Sequence, residues 1–159
     1  MTPQPTPASV NLEDPRQDVD RDRVVRPTLN RFRVAERLLP RHQGEGFNVL
    51  EVGGGAAEFS QRLRHLGHQV SFVDLSSSNV ARAMALGFPA HQLDLNSGLP
   101  PFKTGTFDGV IMLEIIEHVV TAEHLLQEVH RVLKPGGFLI LSTPNFAYWC
   151  NRLRILLGR

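Results

Sequence analysis

The sequence predicts an α/β fold in which helices flank both faces of a doubly wound parallel sheet of about five strands. Two patterns predict this fold: short apolar segments alternate with amphipathic helical segments, and glycine or acidic residues stand where the apolar segments end. The length of 159 residues suits one domain with its own core. The predicted strands are residues 47–52, 69–73, 90–93, 107–113 and 138–142.

Composition argues against several functional classes. The chain has 17 basic and 16 acidic residues, so no strong field favours nucleic acid or an anionic membrane. Its single cysteine, Cys150, forms neither an intrachain disulfide nor a cysteine-rich metal site. No apolar run approaches the ~18 residues that span a bilayer, and the N-terminus lacks a secretory apolar core. We therefore expect a cytoplasmic protein, without stable membrane insertion and without nucleic acid as a partner.

The chain divides into four regions. Residues 1–23 bury too little apolar surface to offset their ordering entropy, so we expect a disordered tail. The apolar spacing predicts an amphipathic helix over residues 24–44, and a ligand-binding domain is expected over residues 45–145. Residues 146–159 predict a C-terminal helical segment. The apolar positions of the first helix are Leu29, Phe32, Ala35 and Leu39.

Three further helices separate the predicted strands. The first ends at Gly67, the second is capped by one of the serines 76–78 and ends at Gly87, and the third spans about residues 121–133. A turn at 134–137 precedes the last strand. The apolar faces of the three helices are Phe59, Leu63 and Leu66; Val80, Ala83 and Met84; and Leu125, Val129 and Val132.

Acidic residues stand at the carboxyl ends of four predicted strands. Ligands of open α/β sheets bind beyond these ends, at the point where the strand order reverses. Four acids at equivalent places therefore predict a single ligand cleft at that edge of the sheet. They are Glu51, Asp74, Asp94 and Glu114.

A glycine-rich segment follows the first strand. Gly53 and Gly55 let a ligand pack against bare backbone; the alternative is a tight turn without a ligand. A dinucleotide site needs a third glycine where this chain has Glu58, and a carboxylate there occupies the positive helix end that a pyrophosphate requires. A nicotinamide cofactor is therefore disfavoured. Glu51 favours a ligand with a cationic group, such as an ammonium or a sulfonium.

Two acids favour a nucleoside. Asp74 lies 19 residues beyond Gly55, where a carboxylate accepts hydrogen bonds from both ribose hydroxyls; the alternative is a helix N-cap for the segment that opens at Ser76. Asp94 can accept from an adenine amino group while a nearby backbone N–H donates to the ring. Its alternative is a turn residue before the Asn-Ser-Gly at 96–98.

The segment after the fourth strand offers weaker candidates for catalysis. Glu117 and His118 suit a general base or a group that orients a substrate, but each also suits a helix-start or loop hydrogen bond. Asp108 precedes an apolar segment and is interpreted as structural. The other histidines show no metal-ligand spacing, so no metal site is expected.

Taken together, these segments resemble class I S-adenosylmethionine-dependent methyltransferases, specifically the small-molecule branch related to the ubiquinone-pathway O-methyltransferases. The resemblance covers about residues 47–145 and implies a Rossmann-like sheet and the cofactor S-adenosyl-L-methionine. Residues 142–149, STPNFAYW, also look like the W-type proteins of methionine biosynthesis. The matching stretches are VLEVGGG (49–55), FVDLS (72–76), LPPF (99–102), FDGV (107–110), EHV (117–119) and EVHRVLKPGG (128–137).

The resemblance implies a role for each matching residue. Glu51, Gly53 and Gly55 would hold the methionine part of the cofactor, and Arg33 resembles a position that reaches its carboxylate. The remaining cofactor contacts would be Asp74 at the ribose with Leu75 beside it, Asp94 and the Leu95 backbone at the adenine, and Leu113 or Glu114 beside the reacting methyl.

The end of the chain departs from the family. The family continues past the fifth strand with a helix and an antiparallel strand pair, whereas this sequence stops at Arg159. We therefore expect a C-terminally truncated domain whose open sheet edge at the fifth strand is covered by the last helix, by a partner or by a second copy. Ala57 stands where the family often has glycine, a tolerable change.

Three functions follow from these observations. The leading one is methyl transfer from S-adenosylmethionine to a small-molecule acceptor. The second is a module that binds the cofactor but is catalytically incomplete or depends on a partner. The third, a nicotinamide-dependent reductase, is disfavoured by Glu58.

Overall fold

The structure, a computed structural model, describes residues 30–40 and 46–144. Three expectations therefore lie outside the described residues: the tail at 1–23, the two ends of the helix expected over 24–44, and the helical segment at 146–159. The domain expected over 45–145 is described except for its first and last residues.

Five parallel strands form one sheet in the order β3-β2-β1-β4-β5. β1 lies between β2 and β4, with Glu51 level with Phe72 on one side and Ile111 on the other. The order reverses between β1 and β4, which opens a crevice above β1. The predicted doubly wound α/β fold is confirmed. The strands are β1 Asn48–Val52, β2 Gln69–Asp74, β3 Ala90–Gln92, β4 Phe107–Leu113 and β5 Leu133–Ser142.

Four helices cover the two faces of the sheet in the described part of the chain. α1 (30–38), α2 and α3 enclose one apolar core, in which Phe59 and Phe72 are fully buried. α4 encloses the other, in which Leu125 and Met112 are fully buried. None of the described helices is long and apolar enough to cross a bilayer. The helices other than α1 are α2 Glu58–His65, α3 Ser77–Ala85 and α4 Ala122–Val132.

Helix α1 packs along α2. The ring of Phe32 stacks on that of Phe59 with centroids 5.0 Å apart, and Glu36 forms a salt bridge of 2.9 Å with Arg62 one turn further along both helices. Ala35 is buried beside them. The apolar spacing that predicted this helix therefore corresponds to the face that packs on the domain.

Three details differ from the sequence-based predictions. Leu66 is exposed because α2 ends at His65, and Met84 is exposed because it lies about 100° around α3 from buried Ala83. Strand β5 begins at Leu133, which pairs with Phe107, and pairing then resumes at Phe138. Residues 134–137, predicted as a turn, form an irregular bulge between these two pairings.

A half-buried pair of charged side chains, Glu128 and Arg131, fixes the segment between β3 and β4. Glu128 on α4 accepts a hydrogen bond of 3.0 Å from the Leu99 N–H and pairs with Arg131. Arg131 in turn donates to the carbonyls of Phe102 and Leu99. The hydrogen bonds that Glu128 accepts from Arg131 and from the Leu99 N–H lower its pKa to about 2, because they favour its ionised form.

Candidate functional site

A pocket of about 210 Å³ opens at the carboxyl ends of β1 and β4, where the strand order reverses. This is the edge at which the sequence predicted a ligand cleft. Helix α1 forms one wall, the glycine-rich loop forms the floor, and the end of β4 closes the far side. The lining residues are Arg31, Phe32, Glu51, Gly53, Gly54, Gly55, Ala56, Glu58 and Leu113.

The glycine-rich loop needs its glycines for two separate reasons. Gly53 and Gly55 have φ values of 71° and 55°, a left-handed backbone that side chains disfavour. A Cβ on Gly54 would lie 2.4 Å from the ring of Phe72 and 2.8 Å from the carboxyl carbon of Glu51. The loop therefore lies close against both strands. The Ile115 side chain packs on Gly53, 2.5 Å from where a Cβ would stand, whereas no atom lies within 4 Å of the same position on Gly55.

Ala57 completes the loop in a strained conformation. Its φ is 58°, so a left-handed residue stands where the family often has glycine, and its methyl group is fully buried. The left-handed region costs a non-glycine residue about 1 kcal/mol. Burial of the methyl group offsets a similar amount, which explains why the substitution is tolerated.

Glu51 is the most deeply buried acid of the pocket, with only 4% of its surface exposed. Its Oε2 accepts a hydrogen bond from the hydroxyl of Ser60. Desolvation outweighs the effect of hydrogen bonding to Ser60 and, with the nearby charge of Asp74, raises the pKa of Glu51 from 4.5 to about 7. A cationic ligand would reverse this balance.

The arginine of the pocket is Arg31, not Arg33. Arg31 lines the pocket, and its Nε is buried without a hydrogen-bond partner. Arg33 is exposed and does not line the pocket. Two residues along a helix correspond to about 200°, so Arg31 shares the buried face of Ala35 while Arg33 points away. The cofactor contact of Arg33 stays a prediction, and Arg31 is the arginine that lines the described pocket.

Asp74 joins the loop to the end of β2. Only 8% of its surface is exposed, and its two oxygens accept hydrogen bonds of 3.0 Å from the Gly55 N–H and 2.8 Å from the Ser76 N–H. The N-cap of α3 is Ser76, so the alternative of Asp74 as that N-cap does not hold. Leu75 follows with 65% of its surface exposed, a large apolar side chain at the rim.

Asp94 is an exposed residue that caps a short 3-10 helix, Leu95–Ser97. Its Oδ1 accepts from both the backbone N–H and the side-chain amide of Asn96. The Asn96 Oδ1 accepts from the backbone N–H groups of Val120 and Thr121, at the start of α4. The turn interpretation of Asp94 is thus observed, and Leu95 is buried with its side chain in the core.

Leu113 is the last residue of β4, and Glu114 follows it with different contacts. Leu113 lines the pocket, whereas Glu114 is tied to β5 through Ser142. The Ser142 hydroxyl donates 2.8 Å to Glu114 Oε1, and the Glu114 N–H donates to the Ser142 carbonyl. Glu114 also has a left-handed φ of 58°. Of the two, Leu113 is the residue placed at the pocket.

The candidates for catalysis lie outside this pocket. Glu117 and His118 are both exposed on a second 3-10 helix, Ile116–His118, and their catalytic role stays a prediction. Asp108 accepts from the Asn48 N–H at 2.8 Å and pairs with Lys134 at 2.7 Å, so its structural interpretation is confirmed.

Sequence reasoning missed two residues of the site, Ser60 and Arg31. Ser60 is a fully buried polar residue between Phe59 and Leu63 on the inward face of α2. A hydroxyl within an otherwise apolar helix face signals a buried hydrogen-bond partner. Arg31 could have been chosen over Arg33 from its spacing of four residues to Ala35.

The comparisons agree with this geometry. A family model described as methyltransferase domain matches residues 50–141. A ubiquinone biosynthesis O-methyltransferase of Xanthomonas oryzae pv. oryzae is 37% identical over 105 residues, which make up 63% of this chain and 44% of that protein. The chain spans about half the length of the curated relatives it matches.

Solved structures show the same architecture. One is a crystal structure of a methyltransferase from Thermotoga maritima, described as a possible histamine N-methyltransferase. Its match with this protein covers 80% of this chain and 56% of the Thermotoga chain, with a TM-score of 0.66 and 24% identity. Another is phosphoethanolamine N-methyltransferase 2 of Haemonchus contortus in complex with S-adenosyl-L-methionine. Its match covers 68% of this chain and 26% of the Haemonchus chain, with a TM-score of 0.59 and 26% identity.

The glycine loop, the buried acid at the end of β1 and the acid at the end of β2 all fall within the matched residues, as the sequence resemblance implied. The chain belongs to the methyltransferase domain family of S-adenosylmethionine-dependent enzymes.

Proposed function

We propose that this protein transfers a methyl group from S-adenosyl-L-methionine to a small-molecule acceptor. The observation that carries the proposal is the pocket at the switch point, where a buried carboxyl group, an unpartnered arginine nitrogen and glycine backbone that is open at Gly55 meet. A zwitterionic amino-acid group has one cation and one anion to satisfy, and this pocket supplies both opposite charges. When bound, the cofactor supplies a methyl group activated by its sulfonium.

The methionine end of the ligand is assigned to three groups. Glu51 accepts from the ammonium, because ionisation of a buried carboxyl becomes favourable beside a cation. Arg31 donates to the carboxylate through nitrogen atoms that include the unpartnered Nε. Gly55, with no atom within 4 Å of its Cβ position, allows close approach of the ligand to the backbone, and Gly53 lines the same pocket.

The nucleoside end is assigned to the rim beyond β2 and β3. Each oxygen of Asp74 accepts one protein hydrogen bond and keeps a second lone pair for a ribose hydroxyl. The exposed side chain of Leu75 offers an apolar surface to the base. Asp94 keeps Oδ2 for an amino group, since the hydrogen bonds from Asn96 both go to Oδ1. The Leu95 backbone N–H is the proposed donor to the ring.

The chemistry asks little of the protein beyond alignment. The leaving group is already activated, so the residues act chiefly by holding acceptor and methyl group in line. Leu113 is the proposed wall beside the methyl group, with Glu114 next to it on the backbone. A base is needed only for an acceptor that arrives protonated, and Glu117 and His118 are the candidates. The name of the Xanthomonas relative supports oxygen as the accepting atom.

Binding of S-adenosylhomocysteine by titration calorimetry tests the proposal. We expect a one-to-one complex in wild type and at least a tenfold loss of affinity in Asp74→Asn, which cannot accept from two hydroxyls as a carboxylate does. Asp108→Asn is the matched control, because Asp108 lies at the opposite end of the sheet. No binding at millimolar ligand, or an equal loss in both variants, would contradict the assignment.

A second candidate is a cofactor-binding module that works only with a partner. It is favoured by β5, whose Leu139 and Leu141 are exposed although they are apolar. Among the described strands, β5 pairs with β4 only. A methylation assay on fractions sized by light scattering separates the two functions: turnover by the monomer supports the first, and turnover only in a complex supports the second.

Location in the cytoplasm is a further proposal, and it rests on the single cysteine in 159 residues. Fractionation of the source cells with antibody detection tests it, and recovery of the protein from an oxidising compartment would contradict it.

A further inference from the structure

The contact between Glu51 and Ser60 is a hydrogen bond between two buried polar side chains. The serine hydroxyl donates to the carboxyl group. Ser60 is the third residue of α2 and lies in its first turn. The residue at the N-cap, Ala57, has no polar side chain and makes no side-chain cap hydrogen bond.

Glu51 on β1 is therefore joined to the first turn of α2 through the side chain of Ser60. A carboxylate at a helix N-terminus also gains from the positive end of the helix dipole. Gly54 makes this placement possible, because a Cβ there would strike the Glu51 carboxyl. The carboxyl is thus held from the helix side by Ser60, and its remaining contacts are with the pocket.

The groups that face this carboxyl come from every element around it. Helix α1 supplies Arg31, the first turn of α2 supplies Glu58, and the end of β2 supplies Asp74. The end of β4 supplies the apolar Leu113. Burial and the charge of Asp74 favour the protonated carboxyl, whereas Arg31 favours the ionised one. In the free protein burial outweighs Arg31, so the pKa of Glu51 is raised.

We propose that Ser60 is a positioning residue that holds the Glu51 carboxyl for a cationic ligand group and couples binding of that group to release of a proton. The inference rests on the proposed function, which assigns the ligand's ammonium to Glu51. A protonated carboxyl and an ammonium become a carboxylate–ammonium pair, and the proton leaves to solvent. The Ser60 hydroxyl donates to the carboxylate and stabilises it, so Glu51 loses its proton at a lower pH than it would without Ser60.

Burial raises the pKa of Glu51 to about 7, which sets the pH window of the coupling. Below this value, affinity should rise about tenfold per pH unit as the carboxyl ionises, and above it affinity should level off. Binding should release about 0.9 proton per ligand at pH 6 and about 0.1 at pH 8. If the Glu51 carboxyl did not meet the cationic group of the ligand, binding would release no proton.

Titration calorimetry with S-adenosylhomocysteine measures both quantities. The full chain is titrated at pH 6, 7 and 8 in two buffers of different ionisation enthalpy, which gives the number of protons released. In Ser60→Ala the hydroxyl is lost. If its loss raises the pKa of Glu51 by about one unit, affinity falls about tenfold at pH 6 and about twofold at pH 8.

Ser78→Ala is the matched control, since Ser78 is exposed on α3 and does not line the pocket; its affinity should equal that of wild type at each pH. Glu51→Gln should bind weakly at every pH and release no proton. Tight binding by wild type with fewer than about 0.2 proton released at pH 6, or a pH-independent loss in Ser60→Ala, would overturn this inference and leave the proposed function intact. Absence of binding at all three pH values would instead remove the proposed function.

Discussion

Replacing Glu51 by glutamine is expected to stabilise the ligand-free protein while removing its affinity for S-adenosylhomocysteine. The side chain of glutamine has nearly the same shape, and its carbonyl oxygen accepts from Ser60 as the carboxyl does. It carries no charge, so the cost of ionising a buried group disappears. The same charge is what the proposed ammonium requires, and a gain in stability therefore accompanies a loss of function.

The magnitude follows from the pKa of Glu51, which burial raises from 4.5 to about 7. Between these values the folded protein binds more protons than the unfolded chain, so its stability falls as the pH rises. This contribution is fully present below about pH 4.5 and is lost once the pH exceeds about 7. The whole change corresponds to about 3 kcal/mol, most of which falls between pH 5 and pH 8.

Urea and thermal unfolding of wild type and Glu51→Gln at pH 5, 6, 7 and 8, without ligand, measure this difference. The advantage of the variant should grow steadily with pH and reach about 5–10 °C in Tm at pH 8 relative to pH 5. Glu58→Gln is the control, because Glu58 lines the same pocket but is exposed. Its difference from wild type should stay constant over this range. An advantage of Glu51→Gln that does not grow with pH would refute the burial argument.

Three further changes test other parts of the structure. Arg31→Ala should weaken binding of S-adenosylhomocysteine about tenfold to a hundredfold, and Arg33→Ala by less than about twofold, as measured by calorimetry; equal effects would refute the placement of Arg31. Glu128→Gln should cost about 1–3 kcal/mol in urea unfolding at pH 7, and because the pKa of Glu128 is lowered to about 2, the cost should shrink as the pH falls from about 4.5 towards 2. Gly54→Ala should lower stability by about 1–3 kcal/mol through its contact with Phe72, and an unchanged Tm would show that the loop does not lie against β2.

The strands and helices were predictable from the sequence because their signals are local. Alternation of apolar and amphipathic segments gave the five strands and the helices between them, and Asp74 marked the end of β2. Even the edge of the sheet that holds the pocket followed from where the acids and glycines stand. Parallel strands bring their carboxyl ends to one edge, so this inference needs no knowledge of side-chain packing.

The contacts within the site were less predictable because they depend on helix rotation and burial. Arg31 and Arg33 have the same chemistry, and only the packing of Phe32 on Phe59 decides which of them faces the pocket. Ser60 gave no motif, because its importance comes from a carboxyl nine residues earlier in the chain. The bulge at 134–137 likewise depends on pairing with β4, which no local pattern records.

The side chain of Asn96 links two loops of the domain by hydrogen bonds. One side-chain amide bonds Asp94 on one loop and the chain at Val120 and Thr121 on another, although the two segments lie more than twenty residues apart. A change in the sequence or length of one loop would therefore disturb the other. A foreign segment grafted into residues 115–121 must therefore keep two backbone N–H groups directed at the Asn96 side-chain oxygen, or the proposed adenine contact of Asp94 will shift with it.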